Sequence, residues 1–237
     1  MAKPGVASRP KTTGAASAAS AETRQALIDA AIETLKSVGF AGTSARAIGK
    51  QAGCNQALIF YHFGSVIELL LAALDEVSAR RMARYSAALE HVDGPGELVA
   101  VAAAVFREDM DNGDVTVLVE MIAGASATPG LGAEVASRIA PWREFAQRAI
   151  ESGLSGSPLG SLLPLGELSH AAAALYLGLE MLSHLDGDRA RATALFDHAG
   201  QLAALFQAFG GTTSAPATSA PVISVPATLA PATKEKR

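Results

Sequence analysis

One cysteine, Cys54, is all the thiol that this chain of 237 residues carries. A lone cysteine makes no internal disulfide and no cysteine-based metal cluster, which agrees with a reducing compartment. Aromatic residues make up only 5% of the chain and there is a single tryptophan, so the 49% of hydrophobic residues must build a core mostly from Ala and Leu. Long apolar runs are missing too. The longest charge-free one, LSHAAAALYLGL from Leu168 to Leu179, is shorter than the ~20 residues a membrane span needs. The first residues, MAKPGVASRPKTTGAASAAS, lack the apolar segment of a secretory signal, and the expected location is cytoplasmic.

Catalytic signatures are equally sparse. Gly153-Leu154-Ser155-Gly156-Ser157 lacks the last glycine of a nucleophile elbow, and Gly130-Leu131-Gly132 lacks the third glycine of a dinucleotide loop. The five histidines are scattered rather than set as metal pairs, although His170 and His184 fall on one helix face. The expectation is a non-enzymatic protein without cofactor or metal.

What is present is an uneven charge. Residues 1–92 carry a net +3, residues 93–210 a net −9 and residues 211–237 a net +2. A basic front ahead of an acidic middle suggests that the front meets a polyanion. Composition divides the chain in the same way. Residues 1–20 are Ala, Ser, Thr, Gly and Pro with Lys3, Arg9 and Lys11, and residues 211–237 repeat Ala-Pro with small residues; both read as disordered. Between them, a head over 21–66 and a body over 67–210 show apolar residues at helical spacing.

Local signals place the helices of the head. Leu27, Ile28, Ala31, Leu35 and Val38 form one stripe that Gly39 ends. Thr43 or Ser44 caps a short second helix carrying Ala47, Ile48 and Ala52, which Gly53 closes. Asn55 suits the start of a third. Ser65-Val66-Ile67-Glu68 has the S-x-x-E form that opens a long fourth helix through Leu70, Leu74 and Val77. The turn Gly53-Cys54-Asn55 between two short helices makes a helix-turn-helix. At about 100° per residue, Ile59 and Phe63 face inward while Ala57 and Tyr61 face outward with Phe60 and Leu58 on the flanks. An exposed aromatic and apolar face needs a partner, and a DNA major groove accepts it.

The segment from Thr23 to about Leu74 resembles the DNA-binding domain of the tetracycline-repressor (TetR) family of one-component regulators. Ala30-Ala31, Gly39-Phe40, Thr43-Ser44, Arg46-Ala47-Ile48, Ala52-Gly53, Ile59, Phe60-Tyr61-His62-Phe63, Ser65 and Glu68-Leu69-Leu70 carry the likeness. The resemblance implies an all-α fold of about nine helices, with a three-helix reading head and a helical ligand-binding and dimerisation body. It places base reading on Arg46, Gln56 and Ala57. Arg46, Lys50, Thr43, Ser44, Tyr61, His62 and the basic arm remain as anchors, with His62 read equally as a half-buried structural histidine, and Phe60 belongs to the exposed apolar part of the DNA-binding face. Arg suits the guanine edge and Gln the adenine edge. The chain departs from the family where Ala57 replaces Gly, Phe60 replaces Tyr and Val66 replaces a phosphate-touching Lys, so its DNA contact should be less cationic than is usual there. Implied partners are a palindromic double-stranded operator, a small-molecule effector and a second copy of the chain.

The body carries weaker signals. Phe106, Met110, Val117 and Met121 sit at helical spacing, and with Trp142 and Phe145, near a Pro141 expected to start or kink a helix, they are read either as an effector pocket or as plain core. Two Ala/Leu-rich helices joined near Asp186-Gly187-Asp188 form a hairpin. By resemblance they pair across a dimer through His170, Leu177, Met181, His184, Leu202 and Phe206; otherwise the hairpin is buried within one subunit. Arg80, Arg81 and Arg84 are expected on the solvated face of the fourth helix, with a place near the DNA backbone or at the seam between head and body as the alternatives. The reading is a transcriptional regulator, a repressor released by a small hydrophobic ligand; the alternatives are an activator and a helical carrier of a hydrophobic small molecule.

Overall fold

The computed structural model describes residues 13–90, 92, 94–154 and 163–210. Among these all regular structure is helical. The order is α1 (Thr13–Gly42), α2 (Ala45–Gln51), α3 (Ala57–Phe63), α4 (Val66–Leu89), α5 (Pro95–Asn112), α6 (Asp114–Ala125), α7 (Leu131–Gly153), α8 (Leu165–Asp186) and α9 (Ala190–Gly210). The tail over 211–237, expected to be disordered, lies outside the described residues. So does the start of the arm, with Lys3, Arg9 and Lys11.

Helix ends follow local chemistry. Ser44 Oγ accepts from the Ala47 amide at 3.2 Å and Ser65 Oγ from the Glu68 amide at 3.1 Å, each satisfying one of the orphan donors of a helix start. Asn55 Oδ1 takes the Ala57 amide at 2.9 Å and so opens α3. Gly39 breaks the helical conformation of α1 at φ +68°, a conformation natural to glycine and rare for other residues.

One hydrophobic cluster joins head and body. Leu27, Leu35, Ile48, Ile59, Leu69 and Leu70 meet Val117, Met121, Leu131 and Val135 in it: α1 packs on α6 and α4 on α6 and α7, so the head does not hang from a linker. A second cluster, centred on Phe106, Met110, Val115 and Ala192, closes the body with Tyr176 and Phe196 against it.

Four expectations are corrected here. The stretch 13–20 is helical, an extension of α1, because its run of alanines has high helix propensity. Val38 is 53% exposed instead of joining the α1 stripe, since the chain turns at Gly39. Pro141 lies within α7, so of its two expected roles the helix start is excluded. Arg81 is buried, whereas Arg80 is exposed and pairs with Asp29 and Glu76 at 2.8 Å each.

The proposed pocket residues also separate. Val117 and Met121 are fully buried in the first cluster, and Phe106 and Met110 belong to the second. Trp142 and Phe145 pack instead around Tyr85 on α4, with ring centroids 5.4 and 6.1 Å from it. Helical spacing set these residues on inward faces, but the faces belong to different cores. Met110 lines a cleft that lies between the α5–α6 and α8–α9 corners with a volume of about 170 Å³.

Candidate nucleic-acid interface

Gly49 is where α2 and α3 meet. A Cβ there would stand 3.1 Å from the Cys54 carbonyl oxygen and 3.2 Å from the Gln56 amide, so the close crossing depends on having no side chain. The Cys54 amide donates to the Gly49 carbonyl at 2.9 Å, fixing the turn. The half-buried Cys54 packs against the head core as a small apolar residue.

This turn aims α3 outward. Ile59 is fully buried and Phe63 packs on the core, while Phe60 is 51% and Tyr61 79% exposed. Gln56 and Ala57 are exposed at the start of the same helix, and His62 is half-buried against the Tyr61 ring at 4.9 Å. Arg46 and Lys50 are exposed on α2. Among the described residues neither cation has an ion-pair partner, which leaves both charges to a ligand.

The two hydroxyls at the start of α2 differ. Thr43 Oγ donates to the Gly39 carbonyl at 2.7 Å, so its proton is committed within the chain. Ser44 Oγ only accepts, and keeps a proton for an external anion.

Behind this surface stands α6. Glu120 Oε2 accepts from the Phe40 amide at 2.7 Å, and a Cβ at Gly39 would come within 2.8 Å of the same carboxylate oxygen. The Phe40 ring fills the space over Gly124, where a Cβ would lie 2.5 Å from it. At the other end of α6, Lys36 donates to the Asn112 carbonyl at 3.0 Å and lies 3.5 Å from Asp114. The α1–α2 corner is thus gripped at both ends of one body helix. Neither Glu120 nor Gly124 carried a signal in the sequence, because their partners lie about 80 residues away.

A chain of charges continues from there into the body. Asp114 also accepts from Arg84 at 2.9 Å, and Arg84 reaches Asp109 at 3.3 Å. Asp109 accepts from Arg81 at 2.7 Å, and Arg81 pairs in turn with Glu180 on α8. The Arg81 guanidinium lies 4.9 Å from the Trp142 ring centroid and 5.6 Å from that of Tyr85. Burial opposes its charge, yet Glu180 and Asp109 outweigh burial and hold its pKa above the ordinary arginine value. Burial pushes the Glu180 carboxyl up to about 8 despite Arg81, with Asp109 pushing the same way. The Tyr176 hydroxyl beside them is raised, again first by burial.

On α8 and α9 the outward residues differ from those expected. Leu168, Leu175, Leu182 and Leu185 of α8 and Leu195, Leu202 and Leu205 of α9 are exposed. Leu168, Leu175 and Leu182 recur every seven residues and share one face. Leu177, Met181 and His184 are half-buried on another flank, with Leu177 about 200° round the helix from Leu175. His170 is exposed and Leu202 lies in the outward stripe. The side chain of Phe206 lies outside the described residues. Both flanks of α8 are rich in Ala and Leu, so periodicity alone did not fix which one is free.

Fold and head together define a helix-turn-helix module carried on an all-helical body. Residues 27–73 match the family model of the bacterial regulatory proteins of the tetR family. An uncharacterised HTH-type transcriptional regulator of Mycobacterium tuberculosis is 27% identical over 104 residues, which are 44% of this chain and 53% of that protein. The match thus spans about half the length of the curated relative. A TetR-family regulator from Rhodococcus superposes with a TM-score of 0.64 at 21% identity, covering 77% of this chain and 98% of the other. The regulator FadR of Bacillus subtilis, solved in complex with stearoyl-CoA, superposes with a TM-score of 0.61 at 14% identity, covering 75% of this chain and 96% of its own. The head of the chain is thus similar to that of the tetR family of bacterial regulatory proteins, and the helical body shares the fold of solved regulators of that kind.

Proposed function

We propose that the protein is a homodimeric repressor that holds a palindromic operator and leaves it when a small hydrophobic effector binds the body. The observation that carries this reading is the outward face of α3, with Gln56, Ala57, Phe60 and Tyr61 exposed beside Arg46 and Lys50, which have no ion-pair partner among the described residues. In it Arg46 and Gln56 read base edges, Ala57 and Phe60 make apolar contacts, and Lys50, Ser44, Tyr61 and His62 hold phosphates. Thr43 supports the corner rather than the DNA, since its proton is already used.

Residues 21–66 act as the head and 67–210 as the body. The exposed leucines of α8 and α9 pair with those of a second copy in a four-helix bundle, setting two heads in successive major grooves about 34–36 Å apart. An effector acts by favouring a body in which α4 and α6 no longer hold the α1–α2 corner in its DNA-binding position. Operator and effector then weaken each other's binding by the same factor.

The experiment is selection of bound duplexes from a random pool with the purified protein, beside Arg46→Ala. Enrichment of one palindrome by the wild type, lost or relaxed at a defined base pair in the variant, is expected. A folded, dimeric wild type that enriches nothing at low salt overturns the reading and favours a carrier of apolar ligands.

A further inference from the structure

The described cations of the head and of its junction with α4 fall into two groups. Lys36 and Arg80 are held in ion pairs. Arg24, Arg46 and Lys50 have none among the described residues, and Arg24 was not among the DNA contacts expected from the sequence. It is exposed on α1, with its guanidinium carbon 4.9 Å from the centroid of the Phe63 ring.

The place matters as much as the freedom. Phe63 is the last residue of α3, and Ser65 and Val66 open α4 immediately after it. The guanidinium therefore lies beside the α3–α4 junction, where the family resemblance calls for a cation at position 66 and the chain has valine. Rings lead to it from the reading face: Tyr61 to His62 at 4.9 Å, then His62 to Phe63 at 6.4 Å. A guanidinium lying against an aromatic face keeps its edge N–H groups free, and stacking restricts an otherwise mobile side chain. The neighbouring charge is unfavourable to an anion, because Glu68 occupies the first turn of α4 and Glu22 lies two residues before Arg24. A phosphate seated there needs a cation, and Arg24 is the one placed to supply it.

We propose that Arg24, stacked on Phe63, clamps a backbone phosphate of the bound duplex and replaces the cation missing at Val66. The inference rests on the head being the DNA interface. It predicts a contact without sequence information, unlike that of Arg46.

The test is a fluorescence-anisotropy titration of wild type, Arg24→Ala, Arg24→Lys and Arg46→Ala on the selected operator and on a random duplex of equal length, over a series of salt concentrations. Arg24→Ala should weaken both duplexes by the same factor, on the order of threefold to tenfold per head, and flatten the salt slope by about one per head. Thermal stability should stay unchanged, and Arg24→Lys should recover most of the slope. An unchanged slope in Arg24→Ala, or a loss confined to the operator, overturns the clamp while leaving the DNA interface standing. A wild type that binds neither duplex overturns both.

Discussion

Arg81 of α4 donates to the carboxylate of Asp109 on α5 from both Nε and Nη2, at 3.1 and 2.7 Å, deep inside the protein. Glu180 on α8 closes the other side of the guanidinium. Removing the cation leaves two carboxylates buried together. Arg81→Met should therefore cost about 3–5 kcal/mol, read from the denaturant midpoint. Replacing all three side chains at once by apolar residues of similar volume should restore much of that loss, because the desolvation of every polar member disappears with it.

The same cluster predicts how stability varies with pH. The folded Glu180 carboxyl titrates near 8, well above its ordinary value, so between roughly pH 4.5 and 8 the folded state holds a proton that the unfolded state has released. Stability falls as pH rises through this window, by up to about 1.4 kcal/mol per pH unit, and levels off above it. Glu180→Gln should flatten the slope in thermal melts across the range; an unaltered slope would assign the titration elsewhere.

At the head, Glu120→Ala leaves the Phe40 amide without its acceptor and should cost about 1–3 kcal/mol. Duplex affinity should fall further than global stability alone explains, since the α1–α2 corner is what loosens. Glu120→Gln keeps a carbonyl acceptor and should recover most of the affinity. Equal damage by both substitutions would show that the charge, and not the hydrogen bond, is what counts.

A fourth prediction concerns assembly. Leu175, at 56% exposure, and Leu182, at 61%, lie on the outward stripe of α8. Sedimentation of Leu175→Glu combined with Leu182→Glu should show a folded monomer. Leu177→Glu, on the half-buried flank, should lower thermal stability more than it shifts the association constant. A dimer that survives the double substitution has its interface elsewhere.

What the sequence disclosed was set by the range of the interactions. Ser44, Asn55 and Ser65 act on amides two or three residues away, so helix starts could be read directly. The orientation of α3 followed from the rotation of one short helix between Ile59 and Tyr61. Arg81 was misread because its carboxylates lie 28 and 99 residues away, and an arginine beside Arg80 and one turn from Arg84 looks like a member of a solvated face. The residues read either as a pocket or as plain core were divided among separate clusters for a related reason: an inward face says that a residue is buried, not in which core. Arg24 did leave a trace, the missing lysine at Val66, but only folding brings it onto Phe63.

Phe40 seated over Gly124 and bonded to Glu120 has a consequence for protein engineering. The head is not a detachable cassette: its corner is completed by residues from the middle of the body. A chimera that places residues 21–66 on the body of a solved regulator of the same fold should keep the duplex affinity of the head only if the recipient's α6 offers a carboxylate and a glycine in the same two places. Bodies with a bulkier residue there would force the corner open, so compatibility between parts could be screened from two positions before any gene is joined.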